Sequence, residues 1–257
     1  QNIKTMSNFS EFERPLAPQK ESGSIISHAW ENYKGIFVYA LLYIVIAFIL
    51  GFIFSLFLPS GNVEGYKEII ESVKNGKSVD YESIIANQSS MGIGSSILSM
   101  VISSIFGALL FPLSAGLIFI AHKFNSKQNI DISDLFIGYK QNTVNLVLYG
   151  LLMSVITTIG FYMCILPGIY LSIVGIIGLP IIFFENKTPV EALKKALNIT
   201  NSDFGTFLVI GILTFLIAIS GFILCCVGAL FTAGFVYSVQ YSTYCAYCGT
   251  PYEINKD

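Results

Sequence analysis

Charge is what this chain has least of. Only 12% of its residues are Asp, Glu, Lys or Arg, against 54% hydrophobic, and the mean hydropathy is +0.69. Soluble domains carry about twice that charged fraction, so a membrane protein becomes the default reading. The net charge is −2 with no long basic or acidic run, which leaves no signal for a nucleic-acid partner. Histidine is limited to His28 and His122, too few for a metal-dependent enzyme that needs several converging ligands, and neither a metal nor another cofactor is expected. The cysteines, Cys164, Cys225, Cys226, Cys245 and Cys248, lie in or beside apolar segments, where a secreted disulfide framework would not be placed. Residues 1–23 are mostly polar and lack the apolar core of a signal peptide; they read as a polar N-terminal segment ahead of a single transmembrane domain, 24–257.

What the chain does have is long stretches without charge. Val144 to Phe184 is 41 residues free of it, and a bilayer-crossing helix takes roughly 20. Pro cannot donate within a helix and Gly closes one readily, so Pro167-Gly168 predicts a surface turn joining two spans, 144–166 and 168–184. Phe204 to Tyr252 is likewise uncharged, with Cys225-Cys226-Val227-Gly228 at its middle, and predicts spans 204–224 and 228–248. Upstream, 36–58 ends at Pro59, and 91–121 is overlong at 31 residues, tilted or kinked at Pro112. The fold class expected is all-α and polytopic, six transmembrane helices arranged as three hairpins.

An even number of spans puts both termini on one side. Eleven of the 14 Lys and Arg fall there; Lys67, Lys74 and Lys77 fall on the other side, outnumbered by Glu64, Glu68, Glu71, Asp80 and Glu82. The positive-inside rule makes both termini cytoplasmic. The one sizeable outer segment is the loop 59–90, where Val63, Tyr66, Ile69, Ile70 and Val73 predict a short amphipathic helix closed at Gly76.

A repeat follows from what precedes each hairpin. Ile25, Ile26, Ala29, Trp30 and Tyr33 share one helical face before the first; Ile132, Leu135, Phe136 and Tyr139 recur behind an Asp131 or Ser133 cap before the second. Before the third, Thr188-Pro189-Val190-Glu191 is a capping box leading into Val190, Leu193, Ala196 and Leu197. Each of these predicts an interfacial amphipathic helix feeding a hairpin. The first helix of each hairpin also carries a Gly-Phe pair, Gly51-Phe52, Gly160-Phe161 and Gly221-Phe222.

Four segments occur in a characteristic order: Asp134-Leu135-Phe136-Ile137-Gly138-Tyr139-Lys140, Leu166-Pro167-Gly168-Ile169-Tyr170-Leu171, Leu179-Pro180, and Glu191-Ala192-Leu193-Lys194-Lys195-Ala196-Leu197. This pattern resembles a broad family of bacterial six-span integral membrane proteins related to the membrane domain fused to some glycerophosphodiester phosphodiesterases. The resemblance covers nearly the whole chain apart from the N-terminal segment and the outer loop. It implies the six-span topology and a bacterial cytoplasmic (inner) membrane. A soluble phosphodiesterase domain is missing here, and the resemblance transfers no catalytic residue.

No Lys, Arg, Asp or Glu falls inside the expected spans, which argues against ion-coupled transport and intramembrane proteolysis and leads us to expect no enzyme. Cys245-Ala246-Tyr247-Cys248 with His28 and His122 forms a conceivable metal or redox set, outweighed by the frequency of Cys in apolar helices. Gln240, Tyr244 and Glu185 are candidates to line a polar ligand groove. Gly92, Gly94, Gly175 and Gly178 are candidate packing faces for a partner, because helices in lipid associate through small residues rather than by hiding from water. The leading expectation is a non-enzymatic accessory or scaffold subunit packed beside other membrane protein subunits and membrane lipids. The alternative is a transport or lipid-handling module with an apolar ligand in a groove between hairpins.

Overall fold

The structure is a computed structural model describing residues 17–55, 93–223 and 234–251, with the isolated positions 72, 74, 75, 228 and 232. The helices within them are α1 (Ser22–Ser55), α2 (Ile93–Asn125), a 3-10 helix (Ile132–Tyr139), α3 (Thr143–Met163), α4 (Ile165–Phe184), α5 (Pro189–Ser202), α6 (Phe204–Ile223) and α7 (Phe235–Cys248). Five of them, α1, α2, α3, α4 and α6, are long and apolar enough to cross a bilayer. This is the organisation of a multi-pass membrane protein. Large apolar side chains on the outer faces agree with it: Val38 and Phe48 are 71% and 74% exposed, a surface suited to lipid and not to water. The expected sixth span overlaps α7 in its second half and otherwise falls mostly outside the described residues, as does the amphipathic helix expected in the outer loop.

The separate interfacial helix expected before the first span does not exist. Nothing between Tyr33 and Ile36 stops a helix, since a lone Gly35 costs only about 1 kcal/mol, so α1 runs unbroken for 34 residues. Its buried stripe passes from Ile25, Ala29 and Tyr33 directly into Ile36, Ala40 and Tyr43. Trp30 stays half-exposed, edge-on to Phe235 at 5.8 Å.

The expected helix at 132–139 is present but is a 3-10 helix. Three residues per turn aligns Leu135 with Gly138, and both are buried, whereas Ile132, Phe136 and Tyr139 are exposed. Asp131 caps it by accepting from Ser133 N, and Asp134 Oδ2 accepts from Asp131 N at 2.8 Å. Asp134 also forms a buried ion pair with Lys123 at the end of α2. Further along, a Cβ at Gly138 would collide with the Pro112 carbonyl, and the Tyr139 hydroxyl donates to Leu109 O at 2.8 Å. The short helix therefore braces α2 where Pro112 removes a backbone donor.

The turn expected at Pro167-Gly168 lies three residues earlier. Cys164, extended at φ −169°, is the only residue between α3 and α4, and Pro167 sits in the first turn of α4. A first-turn proline loses no hydrogen bond, because the leading N–H groups of a helix have no intrahelical partner. The two helices run antiparallel: Gly160 lies against Gly168, Gly175 beside Met153, and Gly178 against Tyr149. A Cβ at Gly160 would come within 3.0 Å of the Gly168 nitrogen.

At α5 the capping box is formed, with Glu191 Oε2 accepting from Thr188 N at 3.1 Å and from Thr188 Oγ1 at 2.8 Å. Those two bonds lower the Glu191 pKa from its ordinary value. The buried face is Ala192, Ala196 and Thr200; Val190, expected in the stripe, is exposed. Small residues here let α5 approach α4 closely.

Candidate functional site

Helix α7 brings a run of polar side chains into the bundle. Tyr237, Gln240, Tyr241 and Tyr244 recur at three- and four-residue spacing, so they project from one face. They reach three different environments.

The first is a chamber of about 250 Å³ between α2, α3, α4 and α7, lined by Ser114, Tyr149, Tyr237 and Gln240 among apolar neighbours. Two of those groups are already engaged: Tyr43 and Tyr237 hydroxyls lie 2.6 Å apart, and Ser114 Oγ is 3.0 Å from the first and 3.2 Å from the second. The other two are not. Tyr149 Oη and Gln240 Oε1 are buried without any hydrogen-bond partner. Unmade bonds of this kind cost roughly 1–3 kcal/mol each.

Next along α7, Tyr241 is the hub of a polar knot. Its hydroxyl accepts from Asn125 Nδ2 at 3.1 Å and lies 3.3 Å from His122 Nδ1. Asn125 Oδ1 is 3.2 Å from His28 Nε2, and His28 Nδ1 is 2.9 Å from Ser242 Oγ. The knot ties α1, α2 and α7 together at the end where α1 begins and α2 stops. It holds His122 at the Tyr241 hydroxyl and His28 at Asn125 and Ser242, while Cys245 and Cys248 remain free thiols. Among the described residues no group of three or more His, Cys, Asp or Glu is arranged to hold a metal ion.

Last, Tyr244 donates to Glu185 Oε1 at 3.4 Å, and the same carboxylate pairs with Lys195 at 2.6 Å and Lys187 at 3.6 Å. Asn186, at φ 50°, turns the chain after Glu185 in the left-handed region that Asn tolerates. Of the three residues expected to share a groove, Tyr244 and Glu185 meet, whereas Gln240 lines the chamber.

No family model, curated protein or solved structure matches the chain.

Larger than the chamber is an apolar groove of about 740 Å³ between α4 and α6, walled by Ile169, Ile173, Ile176, Ile212, Phe215 and their neighbours. Its two hydroxyls are turned onto their own helices, Ser172 Oγ donating to Gly168 O and Thr214 Oγ1 to Ile210 O. Nothing polar is left for a ligand to meet there. Val236 lines both the groove and the chamber, so a single side chain stands at their shared wall.

Of the candidate packing glycines, Gly178 is filled by Tyr149 and Gly175 faces Met153 and the chamber; both serve contacts inside the fold. Gly92 lies outside the described residues, and Gly94 falls in the first turn of α2. Sequence reasoning missed Tyr149, Ser114 and Tyr43 as site residues. The available signal was a phenol deep inside a charge-free run, at Tyr43 and at Tyr149, where lipid offers its hydroxyl no partner.

Proposed function

We propose that this chain is a lipid-handling module of a bacterial cytoplasmic membrane, non-enzymatic, holding an apolar ligand between helices. In this reading the chain is six-spanning, with three hairpins and both termini in the cytoplasm, and is related to the membrane domain found fused to some glycerophosphodiester phosphodiesterases. One observation carries it: a groove of about 740 Å³ whose only hydroxyls are satisfied by their own backbone. That volume is within the range of small-molecule sites, and its chemistry suits an acyl chain. The accessory-subunit reading is weaker because Gly175 and Gly178, half of the faces it relied on, are occupied from within.

The test is native mass spectrometry of the protein purified in nanodiscs, with extraction and identification of what it retains. An enriched lipid is expected. A stoichiometric protein partner with no retained lipid would overturn this reading and restore the accessory subunit.

A further inference from the structure

An apolar groove makes no use of the chain's two histidines, yet both are wired into the knot around Tyr241. The hydrogen bonds of that knot fix which atoms donate. Asn125 Nδ2 donates to the Tyr241 hydroxyl, which leaves Asn125 Oδ1 facing His28 Nε2 at 3.2 Å. An amide oxygen can only accept, so Nε2 of His28 carries a proton. In the neutral ring Nδ1 is then bare, and two donors converge on it, the Ser242 hydroxyl at 2.9 Å and Asn32 Nδ2 at 3.2 Å. The Asn32 amide is held from turning over, because the same Nδ2 donates to His28 O at 3.1 Å. Asn32 is also only 2% exposed, so water does not reach in to replace that bond.

Every bond at the ring therefore asks for its uncharged form. A second proton, on Nδ1, would aim an N–H at the donor end of Asn32, and Ser242 could stay in contact only by turning its own hydrogen elsewhere. No carboxylate is bonded to the ring to compensate. On α1, Glu31 is paired with Lys34 and Glu21, two turns back, is exposed. On α2, Lys123 is paired with Asp134 of the 3-10 helix, and Lys20, ahead of α1, lies over the Tyr247 ring of α7. The other titratable groups of the knot are His122 on α2 and Tyr241 on α7 with Cys245 beside it, none of them anionic near neutral pH. Water is within reach of the ring itself, since His28 is half-buried.

We propose that His28 is an acid-released latch on α7. While neutral, it ties α1 to Ser242 directly and to Tyr241 through Asn125; once protonated, it leaves the knot for water and both ties open together. Histidine changes charge between pH 5 and 8, which sets the window. A ring bonded only when neutral holds the latch closed above its titration and stops holding it as pH falls through it. The helix set loose carries Val236 in the wall of the groove and Tyr237 and Gln240 in the wall of the chamber, so its release loosens a boundary of both spaces. The latch goes beyond the lipid reading and does not depend on it.

The experiment is hydrogen–deuterium exchange of the full chain in phospholipid nanodiscs at pH 7.5 and 5.5, a pair that brackets ordinary histidine titration, with the intrinsic pH dependence of amide exchange divided out. Peptides from 235–248 report on α7, and peptides from 143–163 report on α3, which gives the knot no side chain. On acidification, protection of α7 should fall about tenfold, the scale of two lost hydrogen bonds, with α3 unchanged. His28→Gln has no proton to gain, so its α7 should be equally protected at both pH values. Asn125→Asp sets a carboxylate where the amide oxygen now accepts from Nε2, and should keep α7 protected at pH 5.5 by giving the charged ring a partner. The latch is overturned if wild-type α7 is equally protected at both pH values, if α3 loses protection in step with it, or if either variant loses as much as wild type.

Discussion

Along one side of α4, a Cβ at Gly178 would collide with the Tyr149 hydroxyl and one at Gly160 would crowd Gly168, so α3 and α4 meet backbone to backbone at Gly160 and side chain to backbone at Gly178. Along the other, Gly211 comes within 3.1 Å of Ile173 for a Cβ placed there, and the rest of the seam between α4 and α6 opens into about 740 Å³. Apolar side chains make up most of the second seam. In water the second would close, because every exposed methylene costs free energy; in lipid the tails cover it at no penalty. Helix contact in such a medium is decided by shape, and shape here is set by where glycines stand opposite large side chains. A groove is what remains where isoleucines face each other instead.

Substitutions that exchange these two characters should separate the seams most clearly. Gly178→Leu forces a branched side chain into the space of Tyr149 and should destabilise the protein by about 3 kcal/mol, read as a fall in melting temperature in detergent; adding Tyr149→Ala should recover part of it. At the open seam, Ala218→Leu adds similar bulk to the groove wall, so stability should change by no more than about 0.5 kcal/mol while retention of an apolar probe falls about tenfold. Unchanged probe retention would mean the groove is not where the ligand sits. Tyr149→Phe keeps the close seam packed and removes an unpartnered hydroxyl, and the ligand-free protein should gain about 1 kcal/mol in thermal unfolding.

The smallest effect concerns how α6 is held at its start. Asp203 accepts from Tyr247 at 2.5 Å, and chiefly that bond lowers the Asp203 pKa below its ordinary value. A lowered carboxylate pKa stabilises the fold above the unfolded value and ceases to as pH falls through the folded one. Melting temperature should therefore drop as pH falls below about 4, and Tyr247→Phe should flatten that drop. A variant with the same pH profile as wild type would remove Asp203 from the account.

Local signals were legible in the sequence and relational ones were not. The Thr188–Glu191 box could be read directly because both of its bonds lie within four residues. Pro167 was misplaced as a turn because a helix-breaking proline and a first-turn proline are the same letter, and only the extended Cys164 tells them apart. Of the stripe expected at 132–139 only Leu135 is buried, because three residues per turn sets Gly138 beside it in place of Phe136 and Tyr139. For the site, Gln240 and Tyr244 were visible as polar residues on an apolar helix. That they face different spaces depends on α3 and α4, and nothing within α7 encodes it. Tyr149 became a site residue only once Gly178 had drawn α3 against α4.

The unbroken course of α1 has a mechanical consequence. His28 is joined to α7 through Ser242, and Tyr43 is joined to α7 through Tyr237. Fifteen residues of continuous helix, about 22 Å, lie between those two bolts. A rod fastened twice to the same neighbour cannot roll at one end alone. Any twist of α1 that loosened Tyr43 from the edge of the chamber would lift His28 from Ser242 in the same stroke, so the deep and shallow ends of the α1–α7 seam move together.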